Sequence, residues 1–348
     1  MKLFYFQAHH GNFGDALNDW IWDALLSNRE EAAEDVWLSG IGTILNHRMP
    51  RDRRWVVMGS GVGYGSRPAD FGGDNWDVLA VRGPLSARVL GLEPKKGITD
   101  GAMFLSILPE LTPEAPAAPR KGVAFMPHYM SVASGRWEEV CQLAGLDFIH
   151  PCWDTKDILV KLRSAELVIA DAMHAAIVAD TLRTPWIAAS LNPTTDSFKW
   201  NDWCWSMQMT HEPNRIPGST LADVIKGNAL SLYGEDMLIQ QVTADKLCAR
   251  HAERSQAAES LSTQLRYKVA KRLIREVAVG AAKIEARCVS KLADRRVERA
   301  AEVLGRVARM APTLSQDSVF FENRQRMRDA LHVMAKRYDL AINNKLAL

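Results

Sequence analysis

The strongest constraint on the fold comes from residues 165–189, where an apolar run, a helix-forming segment and a second apolar run follow one another. The two apolar runs, residues 165–170 and 185–189, are typical of buried strands, and the segment between them is typical of a helix. In open sheets of parallel strands, ligands bind at the carboxyl ends of the strands. His174 stands at such a strand-to-helix junction, where free N–H groups and the helix dipole favour an anionic ligand. The alternative is a buried histidine whose ring is satisfied by a backbone carbonyl.

The same alternation runs through the first 250 residues, which predicts an α/β fold. A stretch rich in proline and alanine, residues 111–120, indicates a linker between two sets of strands. We therefore predict two Rossmann-like domains, residues 1–112 and 120–250, that face one cleft. In addition to the two strands around His174, the pattern predicts strands at residues 2–7, 36–38, 54–58, 78–81, 98–102, 122–126 and 148–150.

Residues 251–348 differ in composition from the rest of the chain. They hold 20 Lys+Arg against 11 Asp+Glu, whereas residues 1–250 hold 23 against 30, and all 11 tryptophans lie at or before Trp205. This shift predicts a boundary near residue 250 and a basic, α-helical C-terminal extension. One segment carries an apolar residue at every fourth position: Leu261, Leu265, Val269, Leu273 and Val277. The extension is either a helical lobe packed on the domains or a basic amphipathic surface that contacts an anionic membrane.

Cysteine usage and hydropathy indicate a protein of a reducing compartment. The five cysteines are scattered, with no CxxC pair and no close Cys/His cluster, so we expect free thiols and no metal site. No window reaches the roughly 18 apolar residues that a membrane-spanning helix needs, and the N-terminus has no signal-peptide pattern. We expect a cytoplasmic protein, with peripheral contact at the inner face of the membrane if the extension docks there. Aromatic residues are sparse in the extension, so no nucleic-acid partner is expected.

Polar and glycine-rich loops follow the predicted strands of the first domain. The loop after the first strand carries Asn12, Gly14 and Asp15, and the loop at residues 59–65 has glycine at alternate positions, among them Gly61. Such glycines let the backbone approach a ligand closely. Neither loop matches the dinucleotide-binding fingerprint or the P-loop. The alternative for the first loop is a tight turn in which Asp15 caps the following helix.

Two charged residues stand where later strands of this domain end. Arg82 follows the fourth strand, and a guanidinium at that place can hold a phosphate or carboxylate with two hydrogen bonds. Asp100 lies in the short strand predicted at residues 98–102. The alternative for Arg82 is a surface ion pair.

Four motifs, in this order, resemble those of the polysaccharide pyruvyltransferase family, and most closely the succinoglycan-type ketolases of exopolysaccharide assembly. The motifs are Asn12-Phe13-Gly14-Asp15, Val81-Arg82-Gly83-Pro84-Leu85-Ser86, Thr99-Asp100-Gly101-Ala102 and Ala170-Asp171-Ala172-Met173-His174. The segment Lys199-Trp200-Asn201-Asp202-Trp203-Cys204 also resembles the end of the family's domain, so the resemblance covers roughly residues 1–210. It implies a GT-B-like pair of domains with the active site between them. It also implies transfer of the enolpyruvyl group of phosphoenolpyruvate to sugar hydroxyls, as a ketal.

The resemblance also carries a departure from the family pattern. Ala172 stands where many family members have an arginine, two residues before the histidine. The anion of the donor would then be held by Arg82 or by backbone amides.

The resemblance and the chemistry of ketal formation together indicate the candidate site. The reaction needs an acid that protonates the methylene carbon of phosphoenolpyruvate and a base for the sugar hydroxyl, and histidine suits both roles. His174 is the first candidate for this role, followed by His128 and Asp15. The candidate substrate-binding residues are Asn12, Gly14, Gly61, Arg82, Asp100 and Met173. We expect no cofactor beside phosphoenolpyruvate as donor, and an oligosaccharide or lipid-linked saccharide as acceptor.

Two other functions remain open on the sequence. A nucleotide-sugar-dependent glycosyltransferase would share the GT-B-like architecture. A non-catalytic member of a polysaccharide assembly complex would account for the missing arginine before His174.

Overall fold

Two parallel β-sheets form the framework of the protein, which confirms the predicted α/β class. The structure is a computed structural model that describes residues 1–7, 11–115, 118–192, 195–232, 242–259, 261–288 and 290–347. Parts of the predicted first loop (residues 8–10) and of the predicted linker (residues 116–117) lie outside the described residues.

The first sheet has four parallel strands in chain order: β1 (Lys2–Leu3), β2 (Val36–Ser39), β3 (Arg54–Met58) and β4 (Trp76–Ala80). Strand β1 is shorter than predicted, although the chain stays beside β2 at Phe4, whose N–H donates to the carbonyl of Leu38. Three helices accompany this sheet: α1 (Phe13–Ala16), α2 (Ile21–Leu25) and α3 (Pro84–Leu90). Pro84 stands at the start of α3, where its fixed φ and missing N–H suit the first turn.

The strand predicted at residues 98–102 is wrong. Gly97 makes only an isolated bridge to Val81, and the chain then enters a 3₁₀ helix, Gly101–Ile107. Asp100 caps this helix, since its Oδ1 accepts a hydrogen bond of 2.9 Å from the N–H of Ala102. An apolar run that follows a capping aspartate forms a helix rather than a strand.

The second sheet has five parallel strands in the order β6-β5-β7-β8-β9. The strands are β5 (Val123–Met126), β6 (Asp147–Phe148), β7 (Leu167–Ala170), β8 (Trp186–Ser190) and β9 (Asn214–Arg215). Five helices connect them or follow them: α4 (Tyr129–Val132), α5 (Trp137–Ala144), α6 (Thr155–Ser164), α7 (Met173–Thr181) and α8 (Ser197–Ser206). Every residue of β7 and β8 is buried, as expected for central strands of a parallel sheet.

Helix α7 lies between the two halves of the molecule. All of its residues are buried except His174, because it packs on β7 and β8 on one side and on the 3₁₀ helix Gly101–Ile107 on the other. One apolar cluster accordingly runs from Val56 of β3 to Val168 of β7. A helix buried on nearly all sides is mostly apolar, as the alanine-rich sequence of α7 is. Its buried Asp180 accepts hydrogen bonds from the N–H (2.8 Å) and the hydroxyl (2.6 Å) of Ser315.

The rest of the chain is helical, as predicted. Its helices are α9 (Leu221–Leu232), α10 (Ala244–Glu259), α11 (Leu261–Cys288), α12 (Ser290–Val307) and α13 (Asp317–Tyr338). The composition change at residue 250 falls within α10, and Leu247 of this helix packs with the core of the first sheet. Helix α12 packs on α5, and α13 packs on β4 and the 3₁₀ helix Gly101–Ile107. The domain boundaries at residues 112, 120 and 250 stay predictions. Within the described ranges, no helix combines the length and the apolar character that crossing a bilayer would require.

Candidate active site

The second sheet has a topological switch point between β5 and β7. Strand β5 lies between β6 and β7, so the connections that leave β5 and reach β7 run over opposite sides of the sheet. A crevice is expected outside the carboxyl ends of two such strands, and ligands bind there in open α/β sheets. His128 follows β5 and His174 follows β7, so both predicted histidines lie at this crevice.

Asp171 forms hydrogen bonds with two other loops at the carboxyl edge of the second sheet. Its Oδ2 accepts hydrogen bonds from the N–H of His128 (2.8 Å) and the hydroxyl of Ser131 (3.0 Å), and its Oδ1 accepts one from the N–H of Leu191 (3.1 Å). These partners follow β5 and β8, while Asp171 itself follows β7. We did not single out Asp171 as a site residue, although an acid directly after a buried strand was a usable signal. Burial raises its pKa to about 6, against the opposing effect of these hydrogen bonds.

The carboxyl edge of the first sheet contacts this crevice at Gly14. A Cβ atom on Gly14 would lie 2.0 Å from Nδ1 of His174, so only glycine allows the imidazole to occupy its position. A backbone hydrogen bond of 3.0 Å from Phe13 N–H to the carbonyl of Pro151 joins the two halves beside this contact. Two residues predicted from separate motifs therefore touch each other.

Asp100 brings a carboxylate to the same place. Its Oδ2 lies 3.8 Å from Nε2 of His174, and the two side chains are 1% and 14% exposed. Neither of these two atoms has a hydrogen-bond partner among the described residues. Unpaired buried polar atoms are rare and costly in folded proteins, and they mark a place where a further polar group can bind.

Burial sets the protonation states of this pair. It lowers the pKa of His174 to about 3, and the positive charges of Lys199 and Arg82 act in the same direction. It raises the pKa of Asp100 to about 7, while the hydrogen bond from Ala102 opposes the shift. At neutral pH the imidazole is therefore neutral and can accept a proton, whereas the carboxyl group is near its midpoint and can donate one.

Asp15 and Asn12 lie beside this pair and bond to each other. The amide of Asn12 donates to the carboxylate of Asp15, whose pKa burial raises to about 6. Asn18 fixes the local backbone, since its amide donates to the carbonyls of Asp15 (3.0 Å) and Ile41 (3.1 Å). Asp15 is the third residue of α1 and not its N-cap, so the capping alternative is wrong.

Arg82 is buried in the interior, so the alternative of a surface ion pair is wrong. Its Nε donates to Oδ2 of Asp202 (3.0 Å), its Nη1 to the hydroxyl of Thr43 (2.7 Å) and its Nη2 to the carbonyl of Val62 (2.6 Å). Gly61 makes room for it, because a Cβ atom there would lie 2.5 Å from Cζ of Arg82. The direct roles of Arg82 and Gly61 in substrate binding stay predictions, and the structure gives both an architectural role.

The two remaining predicted site residues, His128 and Met173, lie at the starts of α4 and α7. Nδ1 of His128 accepts a hydrogen bond of 3.3 Å from the N–H of Met130, and burial lowers the pKa of His128 to about 3. Met173 begins α7, and its side chain is buried in the apolar cluster between the sheets. His128 is thus a neutral imidazole at the crevice, whereas Met173 contributes packing below His174.

Lys199 supplies a cation that is not among the predicted site residues. It belongs to α8, and its ammonium group donates to the hydroxyl of Tyr64 (2.8 Å) and lies 4.6 Å from the centre of that ring. Its charge adds to the effect of burial in lowering the pKa values of His174 and His128, and it opposes the burial that raises the pKa of Asp15. The described residues contain no group of three or more His, Cys, Asp or Glu side chains that could hold a metal ion.

Fold and site together define a parallel α/β protein whose His–Asp pair lies where the carboxyl edges of two sheets meet. The chain is 35% identical over 340 residues to the succinoglycan biosynthesis protein ExoV of Rhizobium meliloti (strain 1021). The aligned region covers 97% of this chain and 100% of that protein. The chain therefore belongs to the family of ExoV, and the predicted resemblance to the succinoglycan-type members of the polysaccharide pyruvyltransferase family is confirmed. No family model matches the chain, and no solved structure matches it.

The length of this match corrects one part of the sequence analysis. The motifs extended only to about residue 210, whereas the match spans nearly the whole chain. Most of the C-terminal helical region therefore has a counterpart in ExoV.

Proposed function

We propose that the protein is a polysaccharide pyruvyltransferase. It moves the enolpyruvyl group of phosphoenolpyruvate onto two hydroxyls of an exopolysaccharide precursor and forms a pyruvate ketal. The observation that carries the proposal is the unpaired His174–Asp100 pair at the junction of the two sheets. We take the two halves to be domains in a GT-B-like arrangement, and the reaction to run in the cytoplasm.

The donor has two anionic groups, a carboxylate and a phosphate, so its site needs positive charge. Lys199 is the cation whose field acts on Asp15, His128 and His174. It takes the part that the arginine before the histidine has in many family members, where this chain has Ala172. The N-terminal end of α7 adds the positive end of its dipole at the same place.

The reaction can be written on these residues with atoms and charges in balance. The protonated carboxyl group of Asp100 donates its proton to the methylene carbon, which becomes the methyl group of the ketal. The first sugar hydroxyl bonds to the central carbon and gives its proton to neutral His174. The carbon–oxygen bond to phosphate then breaks, the second hydroxyl closes the ketal, and the proton of that hydroxyl leaves with the phosphate. Protonated His174 finally returns its proton to the carboxylate of Asp100, 3.8 Å away, which restores both groups to their starting states. The net reaction consumes one phosphoenolpyruvate and two hydroxyls, and releases one phosphate.

This assignment predicts how the rate depends on pH. A carboxyl group whose pKa is raised to about 7 keeps its proton up to that pH and loses it above. Transfer should therefore decline as the pH rises through about 7, while His174 stays neutral over the same range because its pKa is lowered to about 3.

Donor binding tests the proposal before any acceptor is known. By calorimetry, phosphoenolpyruvate should bind to the wild-type protein, and Lys199→Gln should bind it at least ~10-fold more weakly, as expected for loss of a charge-assisted contact. Lys161→Gln is the matched control, since Lys161 also lies over an aromatic ring, that of Trp153, but on the outer helix α6. Binding of nucleotide sugars in place of phosphoenolpyruvate would contradict the proposal and favour a glycosyltransferase.

A further inference from the structure

The apolar row of α11 is exposed. Leu265, Val269, Leu273 and Val277 are 52–65% exposed, although residues at this spacing on a packed helix would face its neighbours. The packed-lobe alternative, in which the row would be buried against the domains, is therefore wrong for these four residues. The side chain of Leu261, the fifth residue of the predicted row, lies outside the described part of the structure.

A different face of α11 makes its contacts with the protein. This helix packs on α9, α10 and α12. Among its described side chains, those of Ala270, Ala278, Ala281 and Glu285 are buried. With 100° between successive residues, this buried face lies on the opposite side of the helix from Leu265 and Val269. Leu273 and Val277 lie nearer to the buried face, about 100° and 60° from its centre, but their side chains stay exposed. The helix therefore packs on its neighbours through its alanines, and the row stays outside these contacts.

The exposed apolar surface continues along the helix. Ile284, seven residues after Val277 and on nearly the same side of the helix, is more than half exposed, and Leu292 at the start of α12 is also exposed. Scattered exposed apolar residues are ordinary, but a contiguous apolar surface of this kind marks an interaction site.

The charge around this row selects the partner. Helix α11 has seven Lys or Arg residues and two Asp or Glu residues. Arg272 and Lys283 are exposed on it, and Arg272 also pairs with Glu276 (2.9 Å). On α12 the exposed charges are mixed: Arg295, Arg299 and Arg306 stand among Asp294, Glu298 and Glu302, so the positive charge of this surface comes from α11. An apolar row flanked by basic residues is complementary to a membrane surface, where anionic headgroups lie above a hydrocarbon layer. A second copy of this chain would instead bring positive charge against positive charge.

We propose that α11 docks the protein on membranes that contain anionic phospholipids. The row Leu265–Val277 enters the boundary between headgroups and acyl chains, and Arg272 and Lys283 of α11 lie at the headgroups. Such docking would present the protein to a lipid-linked saccharide, but it does not depend on the pyruvyltransferase proposal, since binding to lipid can be measured without donor or acceptor.

Vesicle co-sedimentation of the full chain tests this proposal. The wild-type protein should bind vesicles of phosphatidylcholine with phosphatidylglycerol at low salt, and should bind pure phosphatidylcholine vesicles much more weakly. Raising the salt should weaken binding, because screening shortens the range of the attraction. The row variant L265Q/V269Q/L273Q/V277Q should bind anionic vesicles at least ~10-fold more weakly, since the apolar insertion is lost.

A matched control separates the row from apolar exposure in general. Leu143 on α5 and Val160 on α6 are as exposed as the residues of the row, so L143Q/V160Q should bind vesicles like the wild type. All six positions are exposed, so both variants should keep the thermal stability of the wild type. A second variant, R272Q/K283Q, keeps the row and should weaken binding at low salt more than at high salt.

Three results would overturn the proposal. The first is absence of binding by the wild type, and the second is equal binding by the wild type and the row variant. The third is a wild-type dimer in sedimentation equilibrium that the row variant dissociates, without vesicle binding by either protein. That result would assign the row to contact between copies of this chain.

Discussion

At the scale of single residues, the site depends on a contact between a glycine and a histidine. Gly14 and His174 come from opposite halves of the molecule, and the imidazole occupies the space in which any other residue at position 14 would have its Cβ atom. The motif at residues 12–15 therefore contains glycine because of a neighbour 160 residues later in the chain. The sequence pointed to both residues but could not show that they touch.

The substitution Gly14→Ala tests this contact. The new Cβ atom would lie 2.0 Å from Nδ1 of His174, so the imidazole must move. Displacement of an acid–base group by about 1 Å can cost ~10²-fold in rate, and we expect a loss of that order in kcat/KM for pyruvyl transfer. Steady-state kinetics on the folded variant would measure it.

Gly280→Ala is the control for this experiment. Nothing lies within 4 Å of a Cβ atom at Gly280, which is in the interior of α11. This change should leave transfer unaltered and stabilise the helix by about 0.5–1 kcal/mol. If Gly14→Ala were as active as Gly280→Ala, the position of His174 would not matter for the reaction.

At the scale of secondary-structure elements, helix α8 joins the second sheet to the first. It follows β8 of the second sheet, yet its Asp202 accepts hydrogen bonds from Arg82 and from the N–H of Ser86 in α3 (2.8 Å). The same helix carries Lys199 to the site. The strand-to-helix turn at Arg82 and the cation at the site are thus both positioned by one helix.

The buried pair Arg82–Asp202 should matter to stability more than a surface pair. Both side chains are fully buried, so Arg82→Met would leave the carboxylate of Asp202 buried without its cation. Loss of one partner of a buried pair typically lowers the free energy of unfolding by about 3–5 kcal/mol. Urea unfolding would measure the change.

Arg54→Met provides the comparison, because the pair of Arg54 with Asp35 is more than half exposed. Its loss should leave the free energy of unfolding nearly unchanged, because solvent screens an exposed pair. Equal effects of the two substitutions would contradict the architectural role of Arg82. If Arg82→Lys remains folded but binds phosphoenolpyruvate more weakly than the wild type, the predicted role of Arg82 as donor anchor gains support.

Local sequence patterns predicted most of the strands and helices, because the pattern that indicates each one lies within a few consecutive residues. Apolar runs indicated the interior strands β3, β5, β7 and β8, and a proline at the first helical turn indicated α3. The strand predicted at residues 98–102 is wrong, because Asp100 accepts a hydrogen bond from the N–H of Ala102 and so caps a 3₁₀ helix. Lys199 was missed because its place at the site depends on α8 crossing between the sheets, a long-range contact that has no local signal.

At the scale of the whole molecule, the C-terminal region serves two purposes. Helix α13 is part of the structure's core, since Phe320, Met327 and Leu331 are buried in the cluster that joins the two sheets. The final residues also bond to the first half, as in the hydrogen bonds from Asn343 N–H to the carbonyl of Leu25 and from Ala347 N–H to the carbonyl of Ile107. Helix α11, by contrast, presents an exposed row. The compositional shift at residue 250 predicted the helical region but not this division of roles.

We expect His174 to act directly in pyruvyl transfer from phosphoenolpyruvate. The most direct measurement is mass spectrometry of an oligosaccharide precursor after incubation with protein and phosphoenolpyruvate, together with the phosphate released. The wild-type protein should form a pyruvate ketal with one phosphate per ketal. His174→Gln should lower this rate by ~10²-fold or more. His332→Gln, on the exposed side of α13, should not change it. Wild-type turnover in folded His174→Gln, or a wild-type protein that releases no phosphate and forms no ketal with such acceptors, would contradict the account.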